Sequence, residues 1–207
     1  MTSNFPMTTE QIPQSGIDLL RIVRINEEIK RVVGVSFKIN IMALNAIFLA
    51  KRAGTAARGF GVLSNEFRTF SQDLRSGMAA LTGMVYGCVR EVSLSLQDLR
   101  LTRLLREANQ LAPQAALSAI LSRREQQDIS HAENLRRLRR QLRLALDDAF
   151  QMVELGGVLA KSAKIEAAYG QAFAVPLAQV SGEFDQIVEE IRASLVSLRR
   201  SAFFAGN

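Results

Sequence analysis

With 207 residues, of which 48% are hydrophobic and 22% are charged, the chain is long enough to bury a core and has the composition of an ordinary globular protein. One cysteine excludes an intrachain disulfide and a zinc site of several cysteines, and one histidine excludes a metal site built from paired histidines. The formal charge of +6 permits an acidic protein, a nucleic acid or an anionic membrane as partner, without selecting among them.

The beginning of the chain does not have the pattern of a targeting segment. Residues 1–14 are polar, contain Pro6 and Pro13, and have neither the basic nor the apolar region of a signal peptide. The longest apolar run, near residues 41–50, is about half as long as a membrane-spanning helix requires, and it contains Asn45. We therefore expect a flexible arm over 1–14 and a cytoplasmic protein without a transmembrane segment.

Helical periodicity begins near Ile17. Apolar and small residues then recur at steps of three and four, as in a helix that packs against other helices. These residues are Ile22, Ile25, Ile29, Val32, Ser36, Ile39, Ala43, Ala46 and Ala50. Gly54 interrupts the pattern, and a second helix is predicted from Phe60 to about Ala108, before the break at Pro113.

Two further helices complete the predicted architecture. The third is expected to end at about Tyr169, before Gly170, and the fourth is expected to begin with Pro176 and to end near Phe204. Four helices with short connections predict an all-α, elongated, antiparallel four-helix bundle of the coiled-coil type. At about 1.5 Å per residue, the longest helices would measure roughly 70–85 Å.

The chain also resembles itself when it is shifted by 117 positions without a gap. Ala43, Ala46 and Ala50 then coincide with three alanines of the third helix, and the tetrapeptide SNEF, 64–67, coincides with SGEF, 181–184. This repeat predicts two tandem helical hairpins, 15–111 and 112–207, which pack together as one bundle domain because neither can bury its apolar stripe alone. Chance agreement between two alanine-rich helices is the alternative.

One stretch carries a specific resemblance. Residues 40–68 read NIMALNAIFLAKRAGTAARGFGVLSNEFR, and the motifs ALNA, RAG and RGF are followed in register by Glu66 and Arg68. Over residues 37–71, without a gap, this resembles the cytoplasmic signalling hairpin of methyl-accepting chemotaxis proteins. A weaker echo covers residues 164–175.

The resemblance implies both an architecture and a function. In that family, two hairpins from two chains form an antiparallel four-helix bundle, whose tip contacts the coupling protein CheW and the histidine kinase CheA, and whose tip residues also pack bundles together. This chain resembles such a dimer with both hairpins joined in one polypeptide. The resemblance implies a non-catalytic, chemoreceptor-like signalling or scaffold protein, without metal or cofactor, that binds these partners through a tip near residues 50–60 and allows self-association there.

The resemblance also implies which residues make the contacts. The partner-binding candidates are Phe37, Ile41, Leu44, Asn45, Arg52, Arg58, Val62, Glu66 and Glu166. Gly54 and Gly59 are expected to form the turn, because glycine reaches backbone angles closed to other residues, and Arg58 and Phe60 are expected to fasten it. Plain core packing is the alternative for the apolar candidates, and ion pairs within the hairpin are the alternative for Glu66 and Arg68.

The tip departs from the family pattern mainly in its charge. Leu49 and Thr55 stand where the family has glutamates, and Lys51 replaces an alanine. Glu166, in the second repeat, stands where the repeat would place the glutamate that is missing at Leu49. Partners that bind the acidic side chains of the family should therefore bind this tip less well or differently.

A second hypothesis rests on the arginine-rich stretch 135–146, LRRLRRQLRLAL. Arg136, Arg139, Arg140 and Arg143 share a broad helical face, which could bind nucleic acid or an anionic membrane surface. A solvated bundle face is the alternative, and few aromatic residues are present to stack on bases. No acid–base pair, nucleophile or phosphate loop is recognisable, so the sequence does not predict an enzyme.

Overall fold

The computed structural model describes residues 14–201 and Phe203. They form four α-helices joined by short connections, and no strand is found within these residues. The helices are α1 (Gln14–Ala53), α2 (Arg58–Leu111), α3 (Ala115–Ala168) and α4 (Ala174–Arg199). Helices α2 and α3 have 54 residues each, which corresponds to about 81 Å. The all-α fold with long helices is confirmed.

The helices pack in a ring in which each one packs mainly against two neighbours. Helix α1 lies against α2 and α4, and α3 also lies against both α2 and α4. The two short 3₁₀ turns, Gly54–Ala57 and Gln171–Phe173, therefore lie at the same end of the bundle, which we call the tip. The loop between α2 and α3 lies at the opposite, distal end, where these two helices extend beyond α1 and α4.

The core follows the predicted steps of three and four. Every residue of the predicted α1 series, from Ile22 to Ala50, is at most 5% exposed. Near the tip the α1 core consists of alanines, which let neighbouring helices approach closely, and the α2 side supplies the aromatic rings of Phe60, Phe67 and Phe70. Dispersion and apolar burial along this continuous seam hold the four helices together.

The two hairpins follow the same register in three dimensions. The rings of Phe67 and Phe184, which are 117 positions apart, stack with centroids 3.9 Å apart and an angle of 3° between their planes. Gly54 and Gln171 are separated by the same offset and have φ angles of 68° and 50°. Helices α2 and α4 therefore meet in the bundle centre at equivalent positions, and both turns have a residue with a positive φ at the equivalent position.

Several predicted boundaries differ from the structure. Helix α4 begins at Ala174, so that Pro176 is its third residue rather than its first. Proline is tolerated throughout the first helical turn, because the amide protons there have no helical acceptor. Helix α2 continues to Leu111, past the expected end near Ala108. Gln14 opens α1, and the rest of the predicted arm, like Phe204, lies outside the described residues.

One part of the chain is apolar enough to be considered for a membrane span. The helical run Gly16–Leu111 contains an 18-residue window with a mean hydropathy of 1.8, of which 33% is buried inside the bundle. The core helix of a bundle passes the same test of length and composition, so the window is weak evidence for a membrane span.

Candidate functional site

The turn of the first hairpin is set by one glycine. Gly54 follows the last residue of α1 and has a φ of 68°, a left-handed conformation that side chains rarely adopt. A Cβ at Gly54 would have no atom within 4 Å, so the requirement for glycine is one of backbone angle alone. This placement agrees with the turn role expected for Gly54.

Gly59 has a different role from the one expected. It lies in the first turn of α2 with helical backbone, after the chain has already reversed. A Cβ at this position would collide with the carboxylate of Glu166, which lies against it from α3. Gly59 therefore leaves room for the Glu166 carboxylate of the other hairpin, and its helical backbone does not form the turn.

Glu166 is held between the hairpins. Its side chain is half-buried, and its carboxylate lies beside the N-terminal turn of α2, where the helix dipole favours negative charge. The sequence proposed Glu166 as a partner contact on the second hairpin. The structure places its carboxylate beside the first hairpin, against Gly59.

The remaining candidates lie on the outer surface of the first hairpin. The apolar side chains of Phe37, Ile41 and Val62 are 52%, 43% and 58% exposed, whereas Leu44 is half-buried. The polar candidates of the first hairpin are all exposed, and none forms a side-chain hydrogen bond or an ion pair with any residue that the structure describes; these are Asn45, Arg52, Arg58 and Glu66. Most of the predicted set is therefore accessible to a partner.

Three expected contacts within the hairpin are not made. Phe60 is fully buried, but the Arg58 side chain forms no hydrogen bond with the described residues and does not fasten the turn. Glu66 and Arg68 are exposed and form no ion pair with any described residue. The turn is thus held by its backbone and by apolar packing below it.

An apolar groove of about 430 Å³ lies between the end of α1 and the beginning of α2. Its lining residues are Ile47, Ala50, Lys51, Gly54, Thr55, Ala57, Arg58, Gly61, Val62 and Asn65. The structure brings Arg58 and Val62 to this groove, together with several residues that the sequence did not single out as contacts. Phe37 and Ile41 do not line it, because they are about 25 and 20 Å from Gly54 along α1.

An outward stripe on α1 was missed in part. Phe48 is 65% exposed and continues the line of Phe37, Ile41 and Leu44 at steps of four and three. The equivalent positions of Ile41 and Phe48 in α3 are Val158 and Ile165, which are also exposed, at 57% and 61%. The spacing was readable in the sequence, but only the structure shows that this stripe faces away from the core.

These features are the context for a comparison with known proteins. The chain is similar to methyl-accepting chemotaxis proteins. It is 36% identical over 81 residues to the methyl-accepting chemotaxis protein CtpH of Pseudomonas aeruginosa, covering 39% of this chain and 14% of that protein. It is 36% identical over 63 residues to TlpB of Bacillus subtilis, covering 30% of this chain and 10% of that protein.

The similarity extends to further proteins of the same description. The methyl-accepting chemotaxis protein McpB of Pseudomonas aeruginosa is 37% identical over 75 residues, covering 31% of this chain and 11% of that protein. The chain thus spans 10–14% of the length of these curated relatives. No family model matches it. The resemblance to chemotaxis receptors is therefore supported over part of the chain.

The arginine-rich stretch of α3 is divided by the fold. Arg139 donates to Asp18 of α1, with a distance of 2.6 Å between Nη2 and Oδ2, and its guanidinium lies 4.5 Å from the centre of the Phe203 ring. Arg136 and Arg140 are exposed. The predicted basic face therefore loses Arg139, which closes the bundle where α1 and α3 face each other.

A polar cluster toward the distal end was not predicted. His131 of α3 lies between two carboxylates of α2, with Nδ1 2.9 Å from Oε2 of Glu91 and Nε2 3.3 Å from Oδ2 of Asp98. Arg124 donates to the other oxygen of Asp98 at 2.9 Å. The hydrogen bond to Glu91 and the charges of both carboxylates raise the pKa of His131 above 6.5, against the smaller effect of burial. The cluster is a charge-sensitive contact between α2 and α3.

The described residues contain no group of three or more His, Cys, Asp or Glu side chains that could hold a metal ion. Cys88 is fully buried in the core, and burial raises the pKa of its thiol to about 11. A thiol in this state is protonated at neutral pH and is a poor nucleophile. Cys88 therefore acts as a small apolar residue of the seam.

Proposed function

We propose that the chain is a chemoreceptor-like signalling or scaffold protein, cytoplasmic and non-catalytic, that acts through contacts at its tip. The observation that carries the proposal is the position of the motif 40–68. It lies on a helical hairpin whose turn is at the tip, and the side chains of Asn45, Arg52 and Val62 are exposed there without partners in the described chain. The partial similarity to methyl-accepting chemotaxis proteins supports the same function.

The proposed partners are the coupling protein CheW and the histidine kinase CheA. Their surface on this chain is the outer face of the first hairpin, from Phe37 to Val62, where exposed apolar side chains alternate with unpaired polar ones. An interface of this kind needs a few apolar anchors surrounded by polar groups. Glu166 would affect partner binding indirectly, through the first turn of α2, beside which its carboxylate lies.

The direct test is binding of the purified chain to each partner by isothermal titration calorimetry. We expect a dissociation constant in the tens of micromolar or tighter. Replacing Phe37 and Val62 together by serine should weaken binding by at least about tenfold, equal to about 1.4 kcal/mol. Replacing Leu104 and Ile129 by serine is the matched control, because these side chains are equally exposed but lie toward the distal end.

Circular dichroism must show that every variant keeps its helical content. A folded wild-type chain that binds neither partner at these concentrations would reject the proposal. Equal losses in the tip variant and the distal control would reject the location of the interface.

Self-association through the tip is a further part of the proposal. The exposed stripe of Phe37, Ile41 and Phe48 is an apolar surface that a second bundle could cover. Multi-angle light scattering of the wild type and of Phe48→Ser tests this, with Leu144→Ser as control because Leu144 is exposed well away from the tip. A wild type that is monomeric at all concentrations would contradict self-association. It would show that the two hairpins of one chain form the bundle without a second copy.

A second candidate function is favoured by the distal half of α3. Arg136, Arg137 and Arg140 are exposed there, in a stretch whose only nearby acidic side chain on the same helix is Glu133. Binding to a nucleic acid or to an anionic vesicle would follow from counterion release and would fall steeply with salt. A salt titration with duplex DNA and with phosphatidylserine vesicles separates this candidate from a tip interaction, which salt should affect less.

A further inference from the structure

The groove at the tip combines an apolar interior with a basic rim. Two opposed apolar side chains, Ile47 and Val62, line it together with small residues. A Cβ at Gly61 would lie 3.4 Å from the Cβ of Ala50, which shows that α1 and α2 approach each other closely at its floor. A volume of about 430 Å³ accommodates one or two apolar side chains of a partner.

The charged side chains that line the groove are all basic. They are Lys51, near the end of α1, and Arg58, the first residue of α2. Both are exposed, and neither forms an ion pair or a side-chain hydrogen bond with any of the described residues. Arg52, the next residue in the chain after Lys51, is also exposed but does not line the groove. Two unpaired cations lining an apolar groove give this surface a positive potential, since neither forms an ion pair with a described residue.

Two acidic residues of the tip region, Glu66 and Glu166, form no ion pair with these cations. Glu66 lies one helical turn beyond Val62, does not line the groove and forms no ion pair with a described residue. Glu166 lies against Gly59 at the first turn of α2, where the helix dipole already stabilises it. A partner that covers the groove therefore has to supply the compensating negative charge.

The second hairpin provides an internal reference. The positions equivalent to Lys51 and Arg58 are Ala168 and Val175, and the position equivalent to Gly61 is Ala178. The second turn thus lacks both cations and has a methyl group where the groove has its glycine floor. The basic groove is a property of the first hairpin alone, although the two hairpins share their core register.

We propose that this groove receives an apolar side chain of a partner protein from a surface segment rich in aspartate and glutamate. The apolar side chain enters between Ile47 and Val62, and carboxylates on either side of it pair with Lys51 and Arg58. The inference rests on the proposed function, since it specifies the chemistry of the partner at the same tip. It does not depend on which protein that partner is.

The test uses two synthetic peptides with the full-length chain. Both have a central leucine, which is flanked by glutamates in one peptide and by lysines in the other. Binding is followed by NMR through the amide and methyl signals of the protein. We expect the acidic peptide to shift the signals of Ile47, Gly61 and Val62, and to bind at least about tenfold more tightly than the basic peptide, equal to about 1.4 kcal/mol.

Three variants separate the charge from the groove. Gly61→Leu should fill the groove and abolish the shifts, and Lys51→Glu with Arg58→Glu should reverse the preference between the two peptides. Arg90→Glu with Arg140→Glu changes the net charge by the same amount at exposed sites far from the tip, and should leave the preference intact.

Each outcome decides the inference. Equal affinity of the two peptides, no shift with either, shifts that map outside the groove, or an unchanged preference in Lys51→Glu with Arg58→Glu would overturn it. If CheW or CheA binds the chain but the peptides show no selectivity, the proposed function stands and this inference fails. If the acidic peptide binds selectively but neither protein binds, the groove stands and the proposed partners are wrong.

Discussion

At equivalent positions of the two turns, Gly54 has a φ of 68° and Gln171 has a φ of 50°. The second hairpin has thus kept the left-handed backbone of the turn while replacing the residue that adopts it most easily. The cores of the two hairpins also correspond, since the equivalent residues Ala43 and Ala160 are both fully buried. The surfaces differ, because Lys51 and Arg58 in the first turn correspond to Ala168 and Val175 in the second.

This comparison indicates which constraints act on each part. A bundle of two hairpins requires both apolar seams and both chain reversals, so substitutions there are limited to residues that fit. A partner needs only one of the two turns, so the charged side chains and the groove of the other turn can be replaced. The predictions below test how far the two hairpins are equivalent, beginning at the centre of the bundle.

The largest effect is expected at the stacked pair Phe67 and Phe184. Each ring is fully buried, so Phe67→Ala and Phe184→Ala should each lower the free energy of unfolding by about 3–5 kcal/mol. The double variant should lose less than the sum, because both single variants remove the same stacking contact. Urea unfolding followed by circular dichroism measures all three.

Phe48→Ala is the control, because this ring is 65% exposed, and it should change the free energy of unfolding by less than about 0.5 kcal/mol. Additive losses in the double variant would show that the stacking contact between the rings contributes little. A loss below about 1 kcal/mol in one single variant would show that the two hairpins do not contribute equally to the centre of the bundle.

The next effect is expected at Gly156, where the hairpins pack differently. A Cβ at Gly156 would lie 2.7 Å from Cζ of Phe70, so Gly156→Ala should cost about 1–3 kcal/mol through overpacking. Gly157→Ala is the matched control. A Cβ there meets no atom within 4 Å, and alanine should raise helix stability by up to about 1 kcal/mol.

The equivalent pair in the repeat is Ile39 and Ile187. The double variant with Gly156→Ile and Phe70→Ile converts the first pair into the second. If the two pairs fill the same space equally well, Phe70→Ile should restore much of the stability that Gly156→Ile loses. A double variant no more stable than Gly156→Ile would show that the sites differ beyond the size of these two side chains.

The two turns should respond in opposite directions. Gly54→Ala places a Cβ on a residue with a φ of 68° and should cost about 1–2 kcal/mol. Gln171→Gly relieves the same strain at a φ of 50° and should stabilise the bundle by up to about 1 kcal/mol. Thermal and urea unfolding should agree on both signs, and a destabilising Gln171→Gly would mean that the Gln171 side chain contributes more than its backbone costs.

The sequence predicted the parts of this molecule that repeat regularly. Steps of three and four identified the α1 core from Ile22 to Ala50, and an ungapped offset anticipated that Phe67 and Phe184 occupy equivalent places. Both patterns depend on helical period and on the shared seam, which a linear sequence records directly. The motif singled out Asn45 and Val62 as candidates for contacts, but core packing remained the alternative for Val62 until the structure showed its side chain exposed.

The sequence did not predict contacts that depend on the distance between helices. Gly59 was assigned to the turn because its contact with Glu166, which is more than 100 residues away in the chain, is not visible in the sequence. Arg139 was placed on a solvated face because its partners, Asp18 and Phe203, lie in other parts of the bundle. The groove is a further example, since it forms only when the ends of α1 and α2 are brought together.

The smallest effect concerns the part of the bundle that has no repeat. The position equivalent to His131 is Gln14, the first residue of α1, so the cluster of His131, Glu91 and Asp98 lies at the limit of the duplicated region. The pKa of His131 is raised in the folded chain. Its contribution to stability is therefore complete below the unfolded pKa of about 6.5 and is lost as the pH rises through the folded pKa.

We expect the free energy of unfolding to fall by no more than about 1 kcal/mol between about pH 6 and pH 9 through this cluster. His131→Gln should remove that part of the pH dependence, since glutamine can hydrogen-bond to Glu91 but carries no charge. Asn134→Gln, one turn away, retains the histidine, adds no charge and serves as control. Arg124 also pairs with Asp98 and could hold α2 and α3 together without the histidine. Two results would show that His131 does not supply the charge that joins these helices. One is a wild type whose stability rises over this pH range, and the other is a His131→Gln variant with unchanged pH dependence.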